Sequence, residues 1–282
     1  MIHTVYELHE EGSLPGARLI TYIQDASDSM AIGKRPLVLV CPGGGYARTS
    51  DREGEPVALK FLAMGYHAAV LRYSCAPARF PTSLLELAAS VALIRKNAEE
   101  WSVDSQKIIV QGASAGGHLA ASLGMFWDEN FLAEGIGLTD SDHELLRPNG
   151  MILCYPVITS GEFAHRDSFA CLLGDGQDQL REKLSLEKRV NAKTPPAFIW
   201  HTYTDQSVPV ENSLLLVNAL RRANISTEFH MYPKGEHGLS LANHLTENSD
   251  GQGVQEECTS WIELAHTWVK GITHDILTVE KG

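Results

Sequence analysis

Positive charge is in short supply in this chain: 23 Lys and Arg stand against 35 Asp and Glu over 282 residues, a formal net charge of −12. Phosphate backbones are held by a surplus of Lys and Arg, and no basic run occurs, so nucleic acid is excluded as a partner and a neutral or cationic small molecule suits better. Long apolar runs are also absent. None approaches the roughly 20 residues that cross a bilayer, and no membrane partner is expected. Cysteine is sparse and odd in number, five in all. Cys41 and Cys154 lie inside apolar runs, where a thiol behaves as a small hydrophobe, so no disulfide framework is expected. Neither H-E-x-x-H nor C-x-x-C occurs, which leaves no metal site, and no cofactor is implied. The first ten residues carry His3, Glu7 and Glu10 instead of a basic stretch running into an apolar one. That predicts no secretory leader and a cytoplasmic location.

What is present is an ordinary globular composition, 44% hydrophobic and 21% charged, enough for a sizeable core. Short apolar runs at 37–41, 66–71, 107–110, 151–155, 197–201 and 227–232 read as buried strands, with Arg18–Ile23 as an additional edge strand. Their near-continuous hydrophobicity suits a parallel sheet covered on both faces. Segments 53–64, 83–100, 116–125, 212–223 and 255–270 carry apolar residues at helical spacing. The alternation predicts an α/β fold, a mostly parallel central sheet flanked by helices, as a single domain over 1–282. Two connections, 126–150 and 160–196, exceed what a crossover needs and are candidate cap or lid insertions.

The chemistry is concentrated after the strand at 107–110, where the chain reads Gly112-Ala113-Ser114-Ala115-Gly116-Gly117-His118. This is G-x-S-x-G between a strand and a helix, a turn so sharp that the neighbours of the serine must be tiny. The helix that follows aims its first amides at the hydroxyl, making Ala115 N–H a donor to a developing oxyanion. A second glycine-rich stretch, Cys41-Pro42-Gly43-Gly44-Gly45-Tyr46, leaves the strand at 37–41. Gly44 and Gly45 are the candidate further donors. A phosphate cradle is the rival reading, but neither G-x-G-x-x-G nor a Walker A lysine is present.

Asp205 lies on the loop after the strand at 197–201, and His237 on the loop after the strand at 227–232. Both loops fall at the carboxyl edge of the sheet, where sites of open α/β sheets form. The order Ser, Asp, His is that of the α/β-hydrolase triad. A serine hydroxyl needs a base, which His237 supplies, while Asp205 holds the imidazole in the right tautomer. Glu236 is too near His237 in sequence to reach its ring, and His118 reads as a satisfied helix-face histidine.

With Pro42-Gly43-Gly44-Gly45-Tyr46, Gly112 to Ala120, Thr194 to Phe198, Asp205 to Pro209 and Gly235 to Leu239 in place, the chain resembles α/β-hydrolase esterases of the hormone-sensitive-lipase group, in their acetyl-esterase and acetylxylan-esterase-like branch. The resemblance implies hydrolysis of short acyl esters, often acetyl groups on sugars, through an acyl-enzyme. It also implies an oxyanion hole of Gly44, Gly45 and Ala115, with Tyr46 as a substrate contact. Pro42 stands where the lipases have His, which points toward the sugar esterases. The expected partner is a small ester or acetylated saccharide, and by base rate a homodimer is the expected assembly. Two rivals share the order of residues: a small peptidase, and an arylformamidase with a pocket from Tyr46, Trp127, Phe163 and Tyr203. A non-catalytic ligand-binding homologue is the rival of another class.

Overall fold

A computed structural model describes residues 1–272 apart from 28, 30–32 and 176. The final stretch of the domain expected over 1–282 therefore lies outside the described residues. The centre is an eight-stranded sheet in the order β1-β2-β4-β3-β5-β6-β7-β8. Its strands are β1 (Ile2–Glu7), β2 (Arg18–Ile23), β3 (Arg35–Cys41), β4 (His67–Arg72), β5 (Val103–Ala113), β6 (Gly150–Cys154), β7 (Ala197–Thr202) and β8 (Thr227–Tyr232). β1 and β2 are antiparallel, and every pairing from β4 to β8 is parallel. Arg18–Ile23 is thus not the edge. β1 pairs outside it, and that strand is exposed or half-exposed on both faces, so it carries no apolar pattern to read.

Successive side chains of a strand point to opposite faces, and the core divides accordingly. Leu37, Leu39, Cys41, Ala69 and Leu71 face one apolar cluster, and Val38, Val40, Ala68 and Val70 face the other. The first cluster is closed by α2 (Thr82–Lys96), α3 (Ala115–Phe126) and α7 (Glu211–Arg222), the second by α1 (Glu55–Ala63) and α8 (Trp261–Gly271). α8 is anchored by Trp261, whose ring stacks on Trp200 of β7 at 5.5 Å and 20°. It begins later than the apolar spacing from residue 255 suggests, because a 3-10 turn, Glu256–Cys258, precedes it.

The two long connections part company. In 126–150, α4 (Asn130–Gly135) and a 3-10 turn at Asp140–Leu145 lead to the start of β6. Arg95 clamps this stretch through the carbonyls of Leu145 and Arg147 and the Asn149 side chain. That end of the sheet lies opposite the loops carrying Ser114, Asp205 and His237. In 160–196, α5 (Arg166–Leu173) and α6 (Asp178–Lys183) return toward those loops. Ser168 of α5 lies so close to Gly45 that a Cβ there would meet its Oγ at 3.8 Å.

Candidate active site

Ser114 stands between β5 and α3 at φ 54, ψ −120, a backbone region that costs an L-residue about 1–3 kcal/mol. The surroundings over-determine it: Ser114 N–H donates to the Cys154 carbonyl, and the Ser114 carbonyl accepts from Val157 N–H, both at 3.0 Å. The small residues of the motif have a steric cause. A Cβ on Gly116 would stand 2.0 Å from the Cys41 carbonyl oxygen and 2.5 Å from that of Pro42. The start of α3 is therefore packed directly on the glycine loop that leaves β3.

The three residues expected to act together form one hydrogen-bonded chain. His237 Nε2 lies 2.8 Å from Ser114 Oγ, and its Nδ1 lies 2.7 Å from Asp205 Oδ2. These partners assign the proton to Nδ1 and leave Nε2 as acceptor of the serine hydroxyl. The Tyr155 ring, just past β6, stands edge-on to His237 at 5.1 Å. Asp205 is buried, 4% exposed, and its oxygens are filled: Oδ1 accepts Ser207 N–H and Val208 N–H, and Oδ2 accepts from His237 and from His201 Nε2 at 3.2 Å. Burial pushes its carboxyl up, yet the hydrogen bonds from His201 and His237 outweigh it and hold the group below the usual carboxylate range.

His201 escaped the sequence reading. It is fully buried at the end of β7; Ser213 Oγ caps its Nδ1 at 2.7 Å, and its Nε2–H is shared between Asp205 and the Val208 carbonyl. Its only sequence signal is its place four residues before Asp205.

On the other side of Ser114, Gly44 (φ +125) and Gly45 (φ +67) hold conformations that L side chains rarely adopt. Gly43 N–H is already given to Glu53 Oε2 at 2.9 Å. The N–H groups of Gly44, Gly45 and Ala115 have no acceptor among the described residues; Ala115 follows Ser114 directly, and Gly44 and Gly45 follow Gly43, where a Cβ would meet Ser114 Cβ at 2.9 Å.

Tyr46 departs from expectation. Its ring is 3% exposed, and its hydroxyl is bound to His118 Nδ1 at 2.9 Å, so the side chain is spent inside and only its backbone borders the site. His118 is likewise buried, with Nε2 on the Leu184 carbonyl at 3.0 Å; burial lowers its pKa to about 4, and the ring is neutral. The aromatics proposed for an arylformamidase pocket do not gather. Trp127 is buried, its Nε1–H on the Lys193 carbonyl, under Arg147 at the strand-start end, whereas Tyr203 is 65% exposed. His165, unnoticed in the sequence, caps α5 through Nδ1. Burial, and then the charge of His237, lower its pKa. No cluster of His, Cys, Asp or Glu among the described residues could hold a metal, and no described helix is long and apolar enough to cross a membrane.

Comparison with known proteins finds relatives on the same fold. The BD-FAE family profile matches residues 26–220, a span that includes Ser114 and Asp205 and ends before His237. Among curated relatives, the endo-1,4-beta-xylanase B of Butyrivibrio fibrisolvens is 40% identical over 219 residues, 74% of this chain and 33% of its own length. An acetylxylan esterase of Xylanibacter ruminicola is 29% identical over 207 residues, 71% of this chain and 40% of its own. The chain thus spans between a third and two fifths of these relatives. Solved structures match over nearly their whole length. An acetyl ester-xyloside bifunctional hydrolase from Caldicellulosiruptor lactoaceticus has a TM-score of 0.77 at 36% identity, covering 91% of this chain and 88% of that one. A carboxylesterase from Lactobacillus plantarum has a TM-score of 0.83 at 30% identity, covering 96% and 98%.

Proposed function

The chain belongs to the BD-FAE family, on the α/β-hydrolase fold, and from that membership we propose that it is a serine carboxylesterase that removes short acyl groups, chiefly acetyl, from sugars or xylo-oligosaccharides. One observation carries the chemistry: the unbroken hydrogen-bonded chain Asp205–His237–Ser114, with the N–H of Ala115, the residue after the serine, left without an acceptor among the described residues. The substrate class draws support from the relatives named for acetylxylan and acetyl-xyloside hydrolysis.

In this mechanism Ser114 Oγ attacks the acyl carbonyl carbon as its proton passes to His237 Nε2. The carbonyl oxygen becomes an anion and is met by the N–H groups of Gly44, Gly45 and Ala115, which need no reorganisation because the glycine loop and the start of α3 are packed together. Asp205, ionised and held by four donors, stabilises the imidazolium. The intermediate collapses, the C–O bond to the alcohol breaks, and His237 returns the proton to the leaving oxygen. Water then repeats the sequence on the acyl-enzyme and frees the acid.

The reading takes the chain as one domain, with 160–196 bordering the alcohol side of the site. The cytoplasm and a twofold dimer complete it, the first tested by cell fractionation and the second by sedimentation.

The decisive assay compares wild type and Ser114→Ala on p-nitrophenyl acetate, p-nitrophenyl octanoate and an acetylated xylo-oligosaccharide. Wild type is expected to favour acetate and to deacetylate the sugar, and Ser114→Ala to lose on the order of 10³-fold or more. Inertness on all three esters, or a preference for octanoate, overturns the assignment.

A further inference from the structure

Glu53 is a carboxylate 4% exposed, one residue before the N-cap of α1, with each of its oxygens engaged in a different direction. Oε2 accepts Gly43 N–H at 2.9 Å, and Oε1 accepts the Tyr155 hydroxyl at 2.7 Å. Tyr155 Oη in turn accepts Ser240 N–H at 2.8 Å, three residues past His237. The same junction is closed from the backbone side. Ser240 Oγ donates to the Arg52 carbonyl at 2.6 Å, and Arg52 Nη1 donates to the Gly238 carbonyl at 3.0 Å. Gly43 fills the space between this carboxylate and the nucleophile's turn, since a Cβ there would meet Glu53 Oε2 at 2.7 Å and Ser114 Cβ at 2.9 Å. Burial, and then the charge of Glu53, push the Tyr155 phenol well above its ordinary value, so it remains a donor.

We propose that Glu53 is a positioning residue that holds the glycine loop and the histidine loop in one frame, aiming the Gly44 and Gly45 N–H groups and the His237 ring together. This rests on the serine-esterase reading above. The requirement for a carboxylate follows from the donors: both groups facing Glu53 give a proton, and only an acceptor at each end satisfies them. Glutamine would set its NH₂ against Gly43 N–H. Turned the other way, it would set that NH₂ against the Tyr155 hydroxyl and leave the phenol O–H without its acceptor.

The test uses p-nitrophenyl acetate together with a short alkyl boronic acid, whose tetrahedral serine adduct places an oxygen where the oxyanion forms. Glu53→Gln is expected to lower kcat and raise the boronate Ki, each by about tenfold or more, with KM held within about threefold. A purely structural role would shrink the active fraction and leave Ki where it was. That result, or an unchanged kcat, overturns the proposal. Tyr155→Phe keeps the Gly43 bond but cuts the link to Ser240; it is expected to lower kcat with a smaller effect on Ki, and the double variant is expected to fall within about twofold of Glu53→Gln alone. Fully multiplicative losses overturn the coupling. Should Glu53→Gln fail to fold, Tyr155→Phe decides alone, and wild-type kcat in that variant refutes the link. If Ser114→Ala is as active as wild type, the serine reading itself falls and this coupling with it.

Discussion

Acidification is expected to destabilise this protein through His118, a residue that touches no substrate. The ring is 1% exposed, accepts the Tyr46 hydroxyl at Nδ1 and donates from Nε2 to the Leu184 carbonyl. Burial holds its pKa down to about 4, against 6.5 for an ordinary histidine. As the pH falls through about 6.5 the unfolded chain takes up a proton that the native ring refuses until about 4, so stability present at neutral pH is lost through that window. At about 1.4 kcal/mol per pKa unit, the loss reaches about 2 kcal/mol by pH 5 and about 3 kcal/mol by pH 4. The assay is urea unfolding, followed by tryptophan fluorescence, of wild type and His118→Gln between pH 8 and pH 5. The variant starts less stable, because it disturbs the bonds to Tyr46 and Leu184, but its stability falls less steeply with acid. Other groups, including His67, whose pKa burial also lowers, cancel in the difference. The gap between the proteins is expected to narrow by about 2 kcal/mol across this range; a gap constant within about 0.5 kcal/mol refutes the argument.

Asp205→Asn replaces a carboxylate filled by four donors with a group that cannot accept from all of them, and leaves His237 in the wrong tautomer. A loss in kcat on the order of 10⁴ with far-ultraviolet circular dichroism preserved is expected. Gly116→Ala drives a methyl to 2.0 Å from the Cys41 carbonyl oxygen, and neither backbone can give way cheaply. Its melting curve should show a loss of about 3 kcal/mol or more, or no soluble protein.

The parts of this protein that sequence reveals are those whose physics is local. Ser114 announces itself because a sharp strand-to-helix turn admits only small neighbours, and β3, β4, β6, β7 and the second half of β5 because strands buried on both faces must be apolar throughout. β1 has no buried face and so leaves no trace. His118 is the satisfied helix-face histidine its spacing suggests, but its partners are not legible: what fixes it, and what turns Tyr46 inward, is a bond between side chains 72 residues apart and another from His118 to a carbonyl 66 residues on, and no spacing rule encodes either. Glu53 looks from sequence like an ordinary acid opening a helix. Its partners, Gly43 and Tyr155, become visible only when three separate loops are brought to one edge of the sheet.

The strand order also sets a timetable. The nucleophile leaves β5, near the middle of the sheet, while the base arrives on the loop after β8, its outermost strand, 123 residues later in the chain. On the serine-esterase reading, a ribosome therefore delivers the serine and its backbone donors long before the base, and a nascent chain is expected to stay inert until the last strand docks. Turnover would in that sense report a finished sheet: a chain stalled or clipped before residue 237 carries Ser114 and lacks the histidine its hydroxyl is bonded to.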